Sequence, residues 1–268
     1  MPIEVAIHGA AGRMGKRLVA LASAADDLRV VAALESAGHP ALGRDAGREA
    51  GIDEIGVLLA DRLDADRKPV VIDFSSPRGA QGAVDLCRDR KLPLVMATTG
   101  LAEPLQAELR AAAQSIPVVW APNMSLAVNL TMRLAEQAAR ALRAAASGVD
   151  VEILERHHRF KEDAPSGTAL RFGELIAAAM GQDRHTHGRH GLVGARSRNE
   201  IGYHAIRVGD NPGEHTIVFG MLGETIELTV RASSRDGYAA GALQAARFIA
   251  DRPAGLYGMV DVLGLEAS

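Results

Sequence analysis

Along the first half of the chain, short unbroken runs of Val, Ile and Leu alternate with stretches whose apolar positions recur at helical spacing. The runs at residues 3–8, 30–35, 70–74, 93–97 and 117–120 predict strands. A strand without polar alternation is buried on both faces, as in a parallel sheet covered by helices. Residues 13–24, 79–90 and 102–114 supply those helices. The pattern predicts an α/β, doubly wound domain on a parallel sheet, the architecture whose strand ends can bind dinucleotides once a glycine loop is present.

The texture changes after Asn123. An Ala/Leu-rich helix is predicted over 126–146, with Leu126, Leu130, Leu134 and Ala138 recurring every fourth residue. Strands at 151–155, 215–219 and 225–230 follow. In the last of these Ile226, Leu228 and Val230 face one way and Thr225, Glu227 and Thr229 the other. Such alternation indicates an antiparallel or mixed sheet with one face less apolar. The expected division is therefore residues 1–125, completed by a return of 236–268, and a second α+β domain over 126–235.

At 268 residues the chain accommodates two modest domains. Its N-terminus reads as a strand rather than a leader and no run is long and apolar enough for a membrane span, so a cytoplasmic protein without a membrane partner is expected. The single cysteine, Cys87, excludes an internal disulfide and any paired-cysteine metal knuckle. With a net charge of -3 and 3% aromatics, neither a phosphate-binding field nor a base-stacking platform is present, so nucleic acid is not an expected partner. Only four of 30 basic residues are lysines, namely Lys16, Lys68, Lys91 and Lys161, which makes a lysine inside any motif informative.

The first strand leads directly into Gly9, Ala10, Ala11, Gly12, Arg13, Met14 and Gly15. Glycines at three-residue spacing between a strand and a helix allow a tight turn and close approach of a pyrophosphate, which the helix N-terminus then faces. Glu35 ends the second predicted strand, where a carboxylate bonds an adenine-ribose hydroxyl. A triphosphate-binding P-loop is excluded by the spacing and by Arg17, which stands where a hydroxyl should meet magnesium. Two further loops lie at predicted carboxyl ends of strands: Ala97, Thr98, Thr99 and Gly100, then Ala121, Pro122, Asn123 and Met124. Thr98, Thr99 and Asn123 are candidates for hydrogen bonds to a nicotinamide or its ribose.

The densest chemical signal is ERHHRFKEDAPSGTA at 155–169. His157, His158, Arg159 and Lys161 together suit a multiply charged acidic ligand, unless Glu155, Glu162 and Asp163 simply neutralise a solvated basic face. Ser166 reads as a helix cap with the Gly167 and Thr168 N–H groups behind it, a second anion site. A small dicarboxylate would fit both, and histidine is the natural proton donor near neutral pH. The motif His185, His187, His190 invites a metal, but it lacks a carboxylate or cysteine partner and reads as a mobile loop; no metal site is expected. Cys87, within a predicted helix, argues against a cysteine-dependent semialdehyde dehydrogenase. A dinucleotide-sensing regulator without turnover is the non-enzymatic alternative.

GAAGRMG, ATTG and above all ERHHRFKEDAPSGTA resemble the 4-hydroxy-tetrahydrodipicolinate reductase family of diaminopimelate and lysine biosynthesis, also called dihydrodipicolinate reductase. The likeness extends over nearly the entire chain, through IGYHAIRVGD, GEHTIVF and the ASS near residue 233. The resemblance implies an NAD(P)H-dependent homotetrameric enzyme with His157 as proton donor and Lys161 as second catalytic residue. It places substrate on His158, Gly167 and Thr168, and cofactor on Gly9 to Met14, Glu35, Ala97 to Thr99 and Ala121 to Met124. Two departures stand out. Ser36 follows Glu35 where many relatives have arginine, which favours NADH with NADPH still possible; Asn199 and Glu200 replace a common ProGly pair.

Overall fold

The structure is a computed structural model that describes residues 1–145 and 148–265. It divides into one compact unit of residues 1–126 and 235–268 and a second of residues 127–234.

The first unit is built on seven parallel strands. These are β1 (Ile3–His8), β2 (Leu28–Leu34), β3 (Leu59–Ala60), β4 (Val70–Asp73), β5 (Leu94–Met96), β6 (Pro117–Trp120) and β12 (Gly255–Tyr257). They lie in the order β12-β6-β5-β4-β1-β2-β3. Strand alternation splits the apolar residues between two cores. Val5, Ile7, Val95 and Val119 face the side packed with α1 (Arg13–Ser23) and α7 (Asp236–Ile249). Ala6, Leu94, Met96 and Val118 face α3 (Ala80–Arg90) and α4 (Glu103–Ala112). Burial on both faces is why these strands lack polar alternation. The chain order reverses between β1 and β4, and ligands of such sheets bind beyond the carboxyl ends of strands at that reversal. The short helix α2 (Ala46–Ala50), strands β3 and β12 and the last helix α8 (Met259–Val262) carry too few residues for a periodic signal.

The second unit holds α5 (Leu126–Leu142, apart from its first residue), α6 (Gly167–Met180) and five strands. These are β7 (Asp150–His157), β8 (Arg184–His187), β9 (Glu200–Arg207), β10 (Glu214–Met221) and β11 (Glu224–Arg231). Their order is β11-β10-β7-β9-β8, antiparallel across β11, β10 and β7, then parallel to β9 and β8. The expected α5 ends earlier, at Leu142; Ala146 lies outside the described residues. Val151 and Ile153 of β7, Ile217 and Phe219 of β10, and Ile201 and Tyr203 of β9 meet Met132 of α5 and Phe172 and Ile176 of α6. Ile226 is exposed, because β11 is the sheet's edge strand and only Val230 at its far end is buried.

One expectation here needs correction. The segment containing His185 and His187 is not a loop, since Arg184–His187 forms β8 in register with β9. Both rings stack on Tyr203, and His185 Nδ1 lies 2.7 Å from the Tyr203 hydroxyl. Among the described residues no three His, Cys, Asp or Glu side chains are grouped to hold a metal.

Candidate active site

In the first unit, Gly9 leaves β1 with φ of +81°, and a side chain there would collide with the Ser75 backbone at 2.7 Å. Gly15 is more constrained still, since a Cβ would lie 2.1 Å from the Gly9 carbonyl oxygen. These two glycines let α1 begin hard against the loop. The N-cap is Gly12, which supplies no side-chain cap, and the first turn holds no acidic residue. The N-terminal N–H groups of α1 thus keep their affinity for an anion. Arg13, its first residue, is exposed.

Glu35 lies just past β2, with Oε2 accepting from the Ala11 N–H at 3.2 Å and Oε1 from the Ser36 N–H at 2.9 Å. The carboxylate is held against the glycine loop with lone pairs to spare for a ribose hydroxyl. The Ser36 hydroxyl also turns to Glu35, at 3.3 Å. Arg44 and Lys16 are both tied to Glu49 at 3.1 Å. The glycine cradle, uncapped helix start and neighbouring carboxylate therefore fit a nicotinamide dinucleotide.

The ends of β1, β4 and β5 meet at a residue that sequence reasoning missed. Asp73 is fully buried and accepts from His8 Nδ1 at 2.5 Å, Ser75 Oγ at 2.7 Å and Thr98 Oγ1 at 2.5 Å. The Thr98 hydroxyl thus turns its proton to Asp73, which leaves its backbone and the hydroxyl's acceptor lone pairs for a ligand. Thr99 is exposed and Ala97 buried. In the last loop Asn123 Oδ1 accepts from the Ser125 N–H at 2.9 Å, and Pro122 is exposed. Ala121 and Met124 belong to the core, so their side chains are unavailable to a cofactor.

In the second unit, alternation along β7 aims Val151, Ile153, Glu155 and His157 at the helix-covered face. The apolar stripe thus ends in a buried carboxylate and a buried imidazole. Register brings up partners that are remote in sequence: His215 of β10 stands opposite Glu155, and Arg207 of β9 opposite His157. Glu155 Oε2 lies 2.6 Å from His157 Nδ1, and Arg207 bonds both Glu155 oxygens at 2.8 and 2.7 Å. Burial opposes ionisation of Glu155, but the hydrogen bonds from His157 and Arg207 outweigh it and hold the carboxyl at about 2. His157 Nε2 makes no hydrogen bond among the described residues.

Ser166 caps α6 as its sequence predicts, accepting from the Ala169 N–H at 3.2 Å. Its hydroxyl also meets His215 Nε2 at 3.0 Å. Burial foremost, then the neighbouring His157, lowers the His215 pKa to about 4, so the ring is neutral at neutral pH. Gly167 and Thr168 are the first two residues of α6. Lys161 pairs with Asp163 at 2.7 Å and lowers that carboxyl below its ordinary range. The cations are thus partly neutralised by Glu155 and Asp163, an outcome the sequence left open. The His158 N–H bonds the Asn211 carbonyl at 2.8 Å, while its Nδ1 is buried without a partner. Arg207 and His215 escaped sequence reasoning because strand register alone brings them here.

Cys87 is no candidate nucleophile: it is buried and its thiol is pushed up by burial, which disfavours the thiolate.

The first unit carries a glycine cradle that fits a nicotinamide dinucleotide, and the second a buried imidazole near a helix start. The chain is thus of the class of NAD(P)H-dependent oxidoreductases. Family models described as dihydrodipicolinate reductase, N-terminus and C-terminus, match residues 3–124 and 127–263. The 4-hydroxy-tetrahydrodipicolinate reductase of Rhodopirellula baltica is 57% identical over 99% of this chain and 97% of its own length. That of Alkalilimnicola ehrlichii is 48% identical over 99% and 100%. A solved dipicolinate-bound dihydrodipicolinate reductase from Paenisporosarcina sp. TG-14 matches with a TM-score of 0.76 at 25% identity, covering 97% of this chain and 99% of that one. The chain belongs to the 4-hydroxy-tetrahydrodipicolinate reductase family. The regulator without turnover finds no support, since these relatives carry an enzyme's name across nearly the entire chain.

Proposed function

We propose that the second unit binds the dicarboxylate 4-hydroxy-tetrahydrodipicolinate through His158, Lys161, the Gly167 and Thr168 N–H groups and the Thr168 hydroxyl, with His157 as proton donor. The substrate loses its 4-hydroxyl as water, and the conjugated cyclic imine that results takes a hydride at carbon 4 and a proton at carbon 3. NAD(P)H supplies the hydride when bound. Its pyrophosphate rests on Gly9, Ala10, Ala11, Gly12, Arg13 and Met14, and its adenine ribose on Glu35. The backbones of Ala97, Thr98, Ala121 and Met124, with Thr99, Pro122 and Asn123, hold the nicotinamide end. Lys161 assists by balancing charge on the substrate.

The observation that carries this reading is the buried His157, whose Nδ1 is fixed on Glu155 at 2.6 Å while Nε2 is left for proton transfer. An imidazole so anchored is what protonation of an enamine carbon needs. The carboxylate of Glu35 favours NADH, because the 2′-phosphate of NADPH would meet a like charge and Ser36 offers no cation to offset it. The exposed edge strand β11, with Ile226 and the adjoining Leu222 open to solvent, supports assembly into a homotetramer. A lone buried thiol suits a reducing cytoplasm.

The test is oxidation of NADH by freshly generated 4-hydroxy-tetrahydrodipicolinate. Turnover is expected, and His157→Gln should lower kcat by roughly 10² with a smaller effect on KM. A variant with near-wild-type kcat would remove His157 from the proton-transfer step.

A further inference from the structure

We propose that Glu155 is a positioning residue for the reaction, one carboxylate that fixes both the proton-donating ring of His157 and the helix start that receives a substrate carboxylate. The inference rests on the roles proposed above for His157, Gly167 and Thr168, and concerns the group that holds them together.

An ionised carboxylate has about four acceptor positions and no donor. Here all four are used. Oε2 receives His157 Nδ1 at 2.6 Å and one Arg207 nitrogen at 2.8 Å; Oε1 receives the Ser166 N–H at 3.1 Å and the other Arg207 nitrogen at 2.7 Å. Glu155 is 2% exposed, so it has neither the access nor the spare lone pairs to touch substrate. Any influence it exerts must pass through its partners.

Each partner leads to a different part of the site. An acceptor-only oxygen facing Nδ1 requires the ring proton there, which leaves Nε2 as the nitrogen that gains and loses the transferred proton. The Ser166 N–H immediately precedes Gly167 and Thr168, so the same carboxylate sets where α6 begins. Arg207 also bonds the Asp163 carbonyl at 2.6 Å, which fixes the backbone beside Lys161. A shift of Glu155 would move proton donor and carboxylate site together.

Exchange of Glu155 for glutamine separates the two arms. One oxygen becomes an NH₂ group and must face two former donors, an Arg207 nitrogen in either orientation and either His157 or the Ser166 N–H. The Ser166 backbone N–H cannot become an acceptor, whereas His157 can, by moving its proton from Nδ1 to Nε2. The amide oxygen is therefore expected on Ser166 and the NH₂ group on His157. The helix start survives and the ring is held in the wrong tautomer.

Glu155→Gln should accordingly lower kcat about tenfold or more, as a misassigned tautomer does in other carboxylate–histidine pairs. Inhibition by pyridine-2,6-dicarboxylate should change less than about threefold. In a His157→Gln background the same exchange should cost no further kcat, because its route to the chemistry is already cut. A Glu155 that only stabilised the fold would multiply the two losses and weaken the inhibitor as well, and either result overturns the proposal. Wild-type kcat in Glu155→Gln does the same. If His157→Gln alone retains full kcat, the proton-donor reading falls first and the proposal with it; a low kcat in His157→Gln with multiplying losses sinks only Glu155. Should the glutamine variant not fold because Arg207 lacks its counter-charge, Glu155→Gln with Arg207→Gln removes that partly buried cation. The same collapse of additivity on His157→Gln is then required, and multiplying losses again refute the assignment.

Discussion

Replacing His215 with glutamine should flatten the loss of stability that this protein undergoes between about pH 7 and about pH 5. Burial above all, followed by the neighbouring His157, lowers the His215 pKa from 6.5 to about 4, with Glu155 offsetting part of the effect. Between those two values the unfolded chain binds a proton that the folded ring refuses. The sign follows: the contribution is fully present above 6.5 and is lost as the pH falls through about 4. One pKa unit corresponds to about 1.4 kcal/mol. Acidification from about pH 7 to about pH 5 therefore removes about 2 kcal/mol through this ring. Glu155, held at about 2 against an ordinary 4.5, begins to contribute only at lower pH and does not confuse the window. The assay is urea unfolding followed by far-UV circular dichroism at both pH values, at one protein concentration, for wild type and His215→Gln. The variant loses the 3.0 Å contact with Ser166 and starts less stable, so the quantity of interest is the change with pH. A gap between the two proteins that shrinks by about 2 kcal/mol on acidification is expected. A gap constant to within about 0.5 kcal/mol would show that His215 is not held neutral by its surroundings.

Thr168→Val should weaken binding of pyridine-2,6-dicarboxylate by about 1–3 kcal/mol, measured as an inhibition constant, through loss of a hydrogen bond to a charged group; an unchanged constant removes Thr168 from the carboxylate site. Gly15→Ala forces a methyl to within 2.1 Å of the Gly9 carbonyl and should displace the loop from α1. A loss of about 1–3 kcal/mol in stability with weaker NADH binding by titration calorimetry is expected, and wild-type binding would show that the cradle's close approach is dispensable. Wild type should prefer NADH over NADPH in kcat/KM by about 1–2 kcal/mol, and Ser36→Arg should shift that ratio towards NADPH. Equal use of both cofactors by the unaltered protein would discard the like-charge argument for Glu35.

Much of the first unit is legible because burial on both faces leaves unbroken apolar runs, and the glycine loop lies between two of them. Strand β9 is not legible in the same way. Gly202, His204 and Ala205 dilute its apolar positions, and β8 carries charge and histidine because it is an edge. In the site, the local cluster from His157 to Lys161 and the Ser166 cap can be read directly, since both are contiguous. Arg207 and His215 lie about fifty and sixty residues further along the chain, and only sheet register brings them to Glu155. Thr98 shows the complementary difficulty. A sequence identifies a hydroxyl at a strand end, but the buried Asp73 that captures it comes from another strand.

The return of α7 to the first unit orders events on the ribosome. Residues 127–234 form a continuous stretch, so the second unit has all its parts once Ser234 has emerged. The first unit, although begun earlier, must wait for α7, whose Ala239, Ala242, Leu243, Ala246 and Ile249 seal the sheet face containing Val5, Ile7 and Val95. Domains generally acquire structure in order of synthesis. Here the later unit is free to finish first, while the nascent dinucleotide sheet carries an open apolar face across more than a hundred codons. That face is where a chaperone would bind, and a ribosome stalled before Arg235 would release a chain able to complete only its second unit.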